Sequence, residues 1–137
     1  MVRLSSLADV IADDEDLARF ITQSNWFGAQ TPMAKPAAFL PSPKYRETSV
    51  SRHGSNPRER LWELGKNATH HRNLYGAAIF KASTVRECKL QVIADEPPPR
   101  HAAIRGWLWY DADPELQKAQ QKEMALVIAS KAELILH

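Results

Sequence analysis

A chain of 137 residues, 44% apolar and 25% charged, is long enough to bury roughly 70% of the surface its unfolded form exposes, which excludes wholesale disorder. Its single cysteine, Cys88, excludes an intramolecular disulfide or a multi-thiolate metal centre and points to a reducing cytoplasm. No run reaches the roughly 18 apolar residues of a membrane span, Met1-Val2-Arg3-Leu4 opens no long apolar signal core, and the net charge of +2 is far from that of a dedicated nucleic-acid binder, so the expectation is a soluble cytoplasmic protein.

Along the chain, Asp13 or Asp14 is expected to cap a brief first helix, with Glu15 and Asp16 in its first turn and Leu17, Phe20 and Ile21 as its apolar stripe. Residues 22–45 lose periodicity and collect Pro32, Pro36, Pro41 and Pro43, which reads as a long ordered loop pinned by Trp26, Phe27, Phe39 and Leu40. Thr48-Ser49-Val50-Ser51 alternates as a short strand with Arg52, His53 and Gly54 at its exit. Asn56-Pro57-Arg58-Glu59 then carries a capping residue, a first-turn proline and a glutamate three after the cap, the reciprocal box that starts a helix. Leu61, Trp62, Leu64 and Ala68 supply its buried face, with Gly65 weakening its middle.

Leu74 to Phe80 is expected as a strand, Ser83 as the cap of a short helical turn running to Cys88, and Leu90-Gln91-Val92-Ile93 as a further strand. Asp95-Glu96-Pro97-Pro98-Pro99-Arg100-His101 follows, two acids, a stiff proline run, a guanidinium and an imidazole within seven residues. It leads into a covered strand from His101 to Trp107. The last element is a helix of about twenty residues, capped by Asp113, started by Pro114 and Glu115, with Leu116, Ala119, Met124, Val127, Ile128 and Ile135 on one face. The expected architecture is a single α+β domain over 1–137: a small, antiparallel sheet of short strands packed against helices, with a long C-terminal helix.

Charge is unevenly distributed. Residues 1–16 set Arg3 against Asp9, Asp13, Asp14, Glu15 and Asp16, net −4, whereas residues 44–72 set Lys44, Arg46, Arg52, Arg58, Arg60, Lys66 and Arg72 against Glu47, Glu59 and Glu63, net +4. The two segments either match each other within the fold or form separate faces for partners. Two cation–imidazole pairs, Arg52-His53 and Arg100-His101, stand at expected strand ends. Brought together, their imidazoles would move protons and their guanidiniums, extended by Arg46 and Arg72, would hold anionic oxygens.

Other chemistry has less support. His53, His70, His71, His101, Asp95, Glu96 and Cys88 are ligand types, but none shows a metal-site spacing, and adjacent His70-His71 reads as a helix-terminal pair. Cys88 lacks any placed base and is expected as a half-buried structural thiol. The five dispersed glycines fit neither dinucleotide nor triphosphate fingerprints, so no cofactor is expected. Trp107, Trp109 and Tyr110 form a cluster of which one or two members close the core and one is left for a partner.

The strings Lys35-Pro36-Ala37-Ala38-Phe39-Leu40-Pro41, Glu47-Thr48-Ser49-Val50-Ser51-Arg52, Arg72-Asn73-Leu74-Tyr75-Gly76-Ala77-Ala78 and Asp95 to Trp107 resemble a family of small bacterial proteins of unassigned function, over most of residues 17–135. The resemblance implies a bacterial or phage origin and a free-standing small domain, and carries no activity. Two functions remain open. One is a non-enzymatic interaction module, an accessory subunit of a bacterial multi-component system acting near nucleic acid, with a protein partner and with Arg46, Arg52, Arg72 and Arg100 as anion or nucleic-acid contacts. The other is a small metal-independent phosphodiesterase or phosphate-transfer enzyme with His53 and His101 as its acid–base pair.

Overall fold

The computed structural model describes residues 10–28, 30, 33–53, 58–70, 73–96 and 100–137. The strands are β1 (Asp16–Ile21), β2 (Thr48–Arg52), β3 (Gly76–Lys81), β4 (Gln91–Ala94), β5 (His101–Arg105) and β6 (Glu133–Leu136), and the helices α1 (Arg58–Ala68), α2 (Ala82–Glu87) and α3 (Pro114–Lys131). All six strands form one antiparallel sheet in the order β4-β5-β2-β1-β3-β6. An α+β fold with a long C-terminal helix is what the sequence pattern calls for.

The first element overturns the expected capped helix. Asp16–Ile21 is a strand in the middle of the sheet, paired with β3 from Asp16↔Lys81 to Ile21↔Gly76 and with β2 at Leu17↔Arg52 and Ala18↔Ser51. Leu17 and Ile21 face one layer while Ala18 and Phe20 face the other, and all four are buried. A strand covered on both faces has no polar alternation, so its apolar positions also satisfy helical spacing. Asp13 caps nothing here: its carbonyl accepts from the Ser83 amide at 2.9 Å and its carboxylate binds Arg86 at 2.6 Å.

One sheet face carries the larger core, in which Leu17, Ile21, Val50, Phe80, Val92 and Ile104 meet Phe39 of the proline-rich loop, Val85 of α2 and Ala125, Ile128 and Ala129 of α3. In the described part of this proline-rich segment, 3-10 turns form at Ser24–Trp26 and Pro36–Phe39, and Trp26, Phe27 and Leu40 pack against this core. Thr48 Oγ1 donates to the Phe39 carbonyl at 2.8 Å, and the Phe39 ring meets Phe80 edge-on at 5.6 Å. Arg19 ties loop to sheet more firmly, its guanidinium donating to the carbonyls of Ala38 at 2.7 Å and Ser49 at 3.0 Å and lying 5.0 Å from the Trp26 ring. Burial lowers the pKa of Arg19 to about 10, which leaves it charged at neutral pH.

The opposite face is covered by α1, whose Leu61 packs with Ala18, Phe20 and Ala77 and whose Trp62, Leu64 and Ala68 border them. Gly65 lets this helix sit close, since a Cβ there would lie 2.8 Å from Phe20 Cε1. The expected start box at Asn56-Pro57 lies outside the described residues. In α2 the N-cap is Lys81 rather than Ser83, and no side chain caps the helix.

Asp113 does cap α3, accepting from the Leu116 amide at 3.0 Å. The buried stripe of α3 is Gln121, Ala125, Ile128 and Ala129; of the expected face Ile128 is buried and Met124 packs against the core, whereas Leu116 and Val127 are 44% and 37% exposed. Small alanines let the helix approach the sheet, and Gln121 is accommodated because its Nε2 donates to the Leu108 carbonyl at 2.6 Å. Ile135 does not extend this helix. The chain turns extended at Ala132 and returns as β6 beside β3, Gly76↔Leu136 to Ile79↔Glu133.

Candidate functional site

Sequence spacing asks whether Arg52-His53 and Arg100-His101 meet, and at the level of backbone they do. Ser51 is registered opposite His101, and the Arg52 amide donates to the Arg100 carbonyl at 2.7 Å. The exit of β2 thus runs beside the entrance of β5.

Their side chains serve different ends. Arg52 is registered with Leu17, on the larger core face, and is only 2% exposed. Its Nε and Nη2 grip the two oxygens of Glu15 at 2.5 and 2.7 Å, a bidentate pair that holds β2 to the segment entering β1. Arg52, expected as an anion contact, is thus a buried guanidinium engaged by a carboxylate of the chain itself. The pair also answers the charge asymmetry in part, since an acid of the first segment neutralises a base of the second.

Arg100 takes the other direction. It occupies the left-handed region with φ 66°, where its amide donates to Glu96 Oε2 at 3.0 Å. Its Nη1 donates to the carbonyls of Arg52 at 2.9 Å and His53 at 3.5 Å, so the guanidinium is fixed across the two strand ends. Among the described residues no carboxylate lies within ion-pair distance of it. A cleft of about 210 Å³ opens beside it, lined by Arg60, Glu63, Leu64, Asn67 and Arg100.

His101 Nδ1 is 3.0 Å from the Asp95 carbonyl and 3.3 Å from its carboxylate. Both neighbours are acceptors, so Nδ1 carries the proton and Nε2 is the accepting nitrogen of the neutral ring. His53 Nδ1 is buried and, among the described residues, has no hydrogen-bond partner. Its pKa is lowered, first by burial and further by Arg100, against an opposing pull from Asp16. Neither imidazole is among the residues lining the Arg100 cleft. Arg72 and His71 lie outside the described residues, as do Pro97, Pro98 and Pro99.

Arg46 lies at the far end of β2 and does not extend this corner. With φ 57° it turns out of the loop before β2; its guanidinium carbon sits 4.9 Å from the Trp109 ring centre and its Nη2 lies 3.8 Å from Asp111 Oδ1. Beside it, Lys44 Nζ lies 5.2 Å from the ring of Tyr45, which is 67% exposed. Tyr110, next to Trp109, is 37% exposed, whereas Trp107 is buried and donates from Nε1 to the Ile104 carbonyl at 3.2 Å. One member of the aromatic triplet closes the core, one stacks under a cation, and one faces solvent.

A larger cavity, about 360 Å³, lies between α2 and α3 and is lined by Glu87, Cys88, Leu108, Gln120, Glu123, Met124 and Val127. Cys88 is half-buried there, its thiol 3.9 Å from the Met124 carbonyl. Burial pushes the thiol pKa up, Lys131 opposes this and Glu87 adds to it, which is the reverse of nucleophile activation. Among the described residues no three His, Cys, Asp or Glu side chains converge to hold a metal ion. No described helix is long and apolar enough to cross a membrane.

Glu15, Arg60 and Asn67 were beyond sequence reasoning as site residues. The only signal for the last two is spacing: Arg60, Glu63, Leu64 and Asn67 stand at i, i+3, i+4 and i+7, one stripe of a helix. No protein family, curated protein or solved structure matches the chain.

Proposed function

We propose that the chain is a non-enzymatic interaction module, an accessory component of a bacterial multi-component system, that contacts nucleic acid through the cluster of Lys44, Tyr45, Arg46, Trp109 and Tyr110. The observation that carries this reading is the pairing of each cation with an aromatic ring at the surface, Arg46 with Trp109 at 4.9 Å and Lys44 with Tyr45 at 5.2 Å. Cations neutralise phosphates without regard to sequence, and exposed rings stack on any base, so the mixture suits a single strand. The bacterial setting comes from the resemblance of the Pro-rich, Thr48 and Asp95 segments and rests on it alone.

A metal-independent phosphodiesterase is the second reading, favoured by one observation, the Asp95 contact that leaves His101 Nε2 as an acceptor. Against it, His53 has its Nδ1 buried and Arg52 is engaged by Glu15. Photo-crosslinking to a thiouridine-substituted single strand, followed by mass spectrometry, separates surfaces. Adducts on the peptides bearing Tyr45 and Tyr110 are expected; adducts confined to other peptides contradict the proposal.

A further inference from the structure

We propose that the cleft between α1 and the start of β5 is a phosphate site, in which Arg60, Asn67 and Arg100 donate to the oxygens of a phosphate or phosphomonoester and Glu63 accepts from its protonated oxygen. The site is independent of the aromatic cluster, which lies at the other end of β2.

Three observations support it. First, four α1 residues at i, i+3, i+4 and i+7 line the cleft together with Arg100, which precedes β5, so donors come from two separate parts of the chain. Second, neither guanidinium has a carboxylate partner among the described residues. Arg60 makes no ion pair or hydrogen bond among the described residues, and the bonds of the Arg100 guanidinium there are those from Nη1 to the carbonyls of Arg52 and His53. That leaves Arg100 Nε and Nη2 without an acceptor while the side chain is already held in place, so little side-chain freedom remains to be lost on binding. Third, the volume of about 210 Å³ is several times the roughly 30 Å³ share of one water, enough for a phosphoryl group with its residual hydration.

Glu63 decides which oxyanion fits. Two cations and one carboxylate leave a net charge of +1 on the lining, which attracts an anion yet places an acceptor against it. A fully deprotonated tetrahedral anion such as sulfate offers Glu63 only lone pairs, whereas monoprotonated phosphate offers it a P–OH donor. The arrangement therefore selects phosphate over sulfate, two ions of nearly the same size.

The test is calorimetric titration of the full chain with inorganic phosphate and with sulfate. Wild type is expected to bind phosphate saturably and at least about tenfold more tightly than sulfate, the range of one charge-assisted hydrogen bond. Arg60→Ala is expected to weaken phosphate at least about tenfold by the same reasoning. Glu63→Gln, whose amide can donate, is expected to bring sulfate level with phosphate. Arg60 and Glu63 are exposed, so both variants should fold, and circular dichroism verifies it. A competition arm with 5′-phosphorylated and 5′-hydroxyl oligonucleotides tells whether the phosphoryl group comes from a strand end or from a small molecule. Absence of saturable phosphate binding, equal affinity for both anions in wild type, or unchanged affinity in Arg60→Ala overturns the proposal. Tyr45→Ala/Arg46→Ala should leave phosphate affinity unchanged, so failure of the nucleic-acid reading and failure of this one are distinguishable.

Discussion

Glu15 holds Arg52 with both carboxylate oxygens, at 2.5 and 2.7 Å, and the guanidinium is buried where an anion-binding arginine would be exposed. Removing one member of such a pair strands a buried charge, which costs about 3–5 kcal/mol. Glu15→Ala should therefore lower the urea midpoint sharply, and Glu15→Leu/Arg52→Met should recover part of the loss because no lone charge is left behind. Urea unfolding of the variants checks this; a single variant as stable as wild type would show that the pair contributes little.

His53 gives the fold a pH dependence of known sign. Burial, with Arg100 adding to it, depresses its folded pKa below the usual imidazole value. The unfolded chain then binds more protons than the folded one as pH falls below about 6.5, so stability drops in that window and is unaffected above it. His53→Gln removes that proton linkage and should flatten the slope between pH 7 and 5, measured by denaturation at each pH. An unchanged slope would mean that His53 titrates alike in both states.

Gly76 marks the seat of β6. A Cβ there would stand 2.5 Å from the Ile135 carbonyl oxygen, a backbone atom that cannot rotate away. Gly76→Ala should cost about 1–3 kcal/mol through overpacking and loosen β6 specifically. Amide exchange at residues 133–136 should rise more than exchange in β1. His137 shares in this anchorage, its amide donating to the Tyr75 carbonyl at 2.9 Å and its ring lying 4.7 Å from that of Trp62.

Cys88 should behave as a packing residue. Its thiol pKa is raised chiefly by burial, so at pH 8 it should react with a disulfide reagent more slowly than free cysteine and reach full speed only on unfolding. Fast labelling of the native protein would contradict its position against Met124.

The sequence conveyed elements with strong local signals and missed those decided by tertiary context. Asp113-Pro114 announces α3 because cap and first-turn proline are local chemistry, and the chain there behaves accordingly. β1 was hidden because a strand buried on both faces offers no alternation. β6 was hidden because Leu134 and Ile135 continue the apolar spacing of α3 after Lys131, with neither glycine nor proline to mark the break. At the site, spacing correctly raised the question of whether two Arg-His pairs adjoin, since register brings them side by side. What each guanidinium does depends on partners 37 residues away in Arg52–Glu15 and on a helix stripe that lines a cleft together with Arg100, and pattern alone carries neither.

The measurement that bears most directly on the proposed function is the salt dependence of binding to a labelled single-stranded oligonucleotide, followed by fluorescence anisotropy in wild type and in Lys44→Ala/Arg46→Ala. Each phosphate neutralised contributes about −0.7 to the slope of log K against log salt, so loss of two cations should reduce the slope by about 1.4 and weaken binding at every salt concentration. No binding by wild type at about 50 mM salt, where such contacts are strongest, or an identical slope in the double variant, would contradict the account.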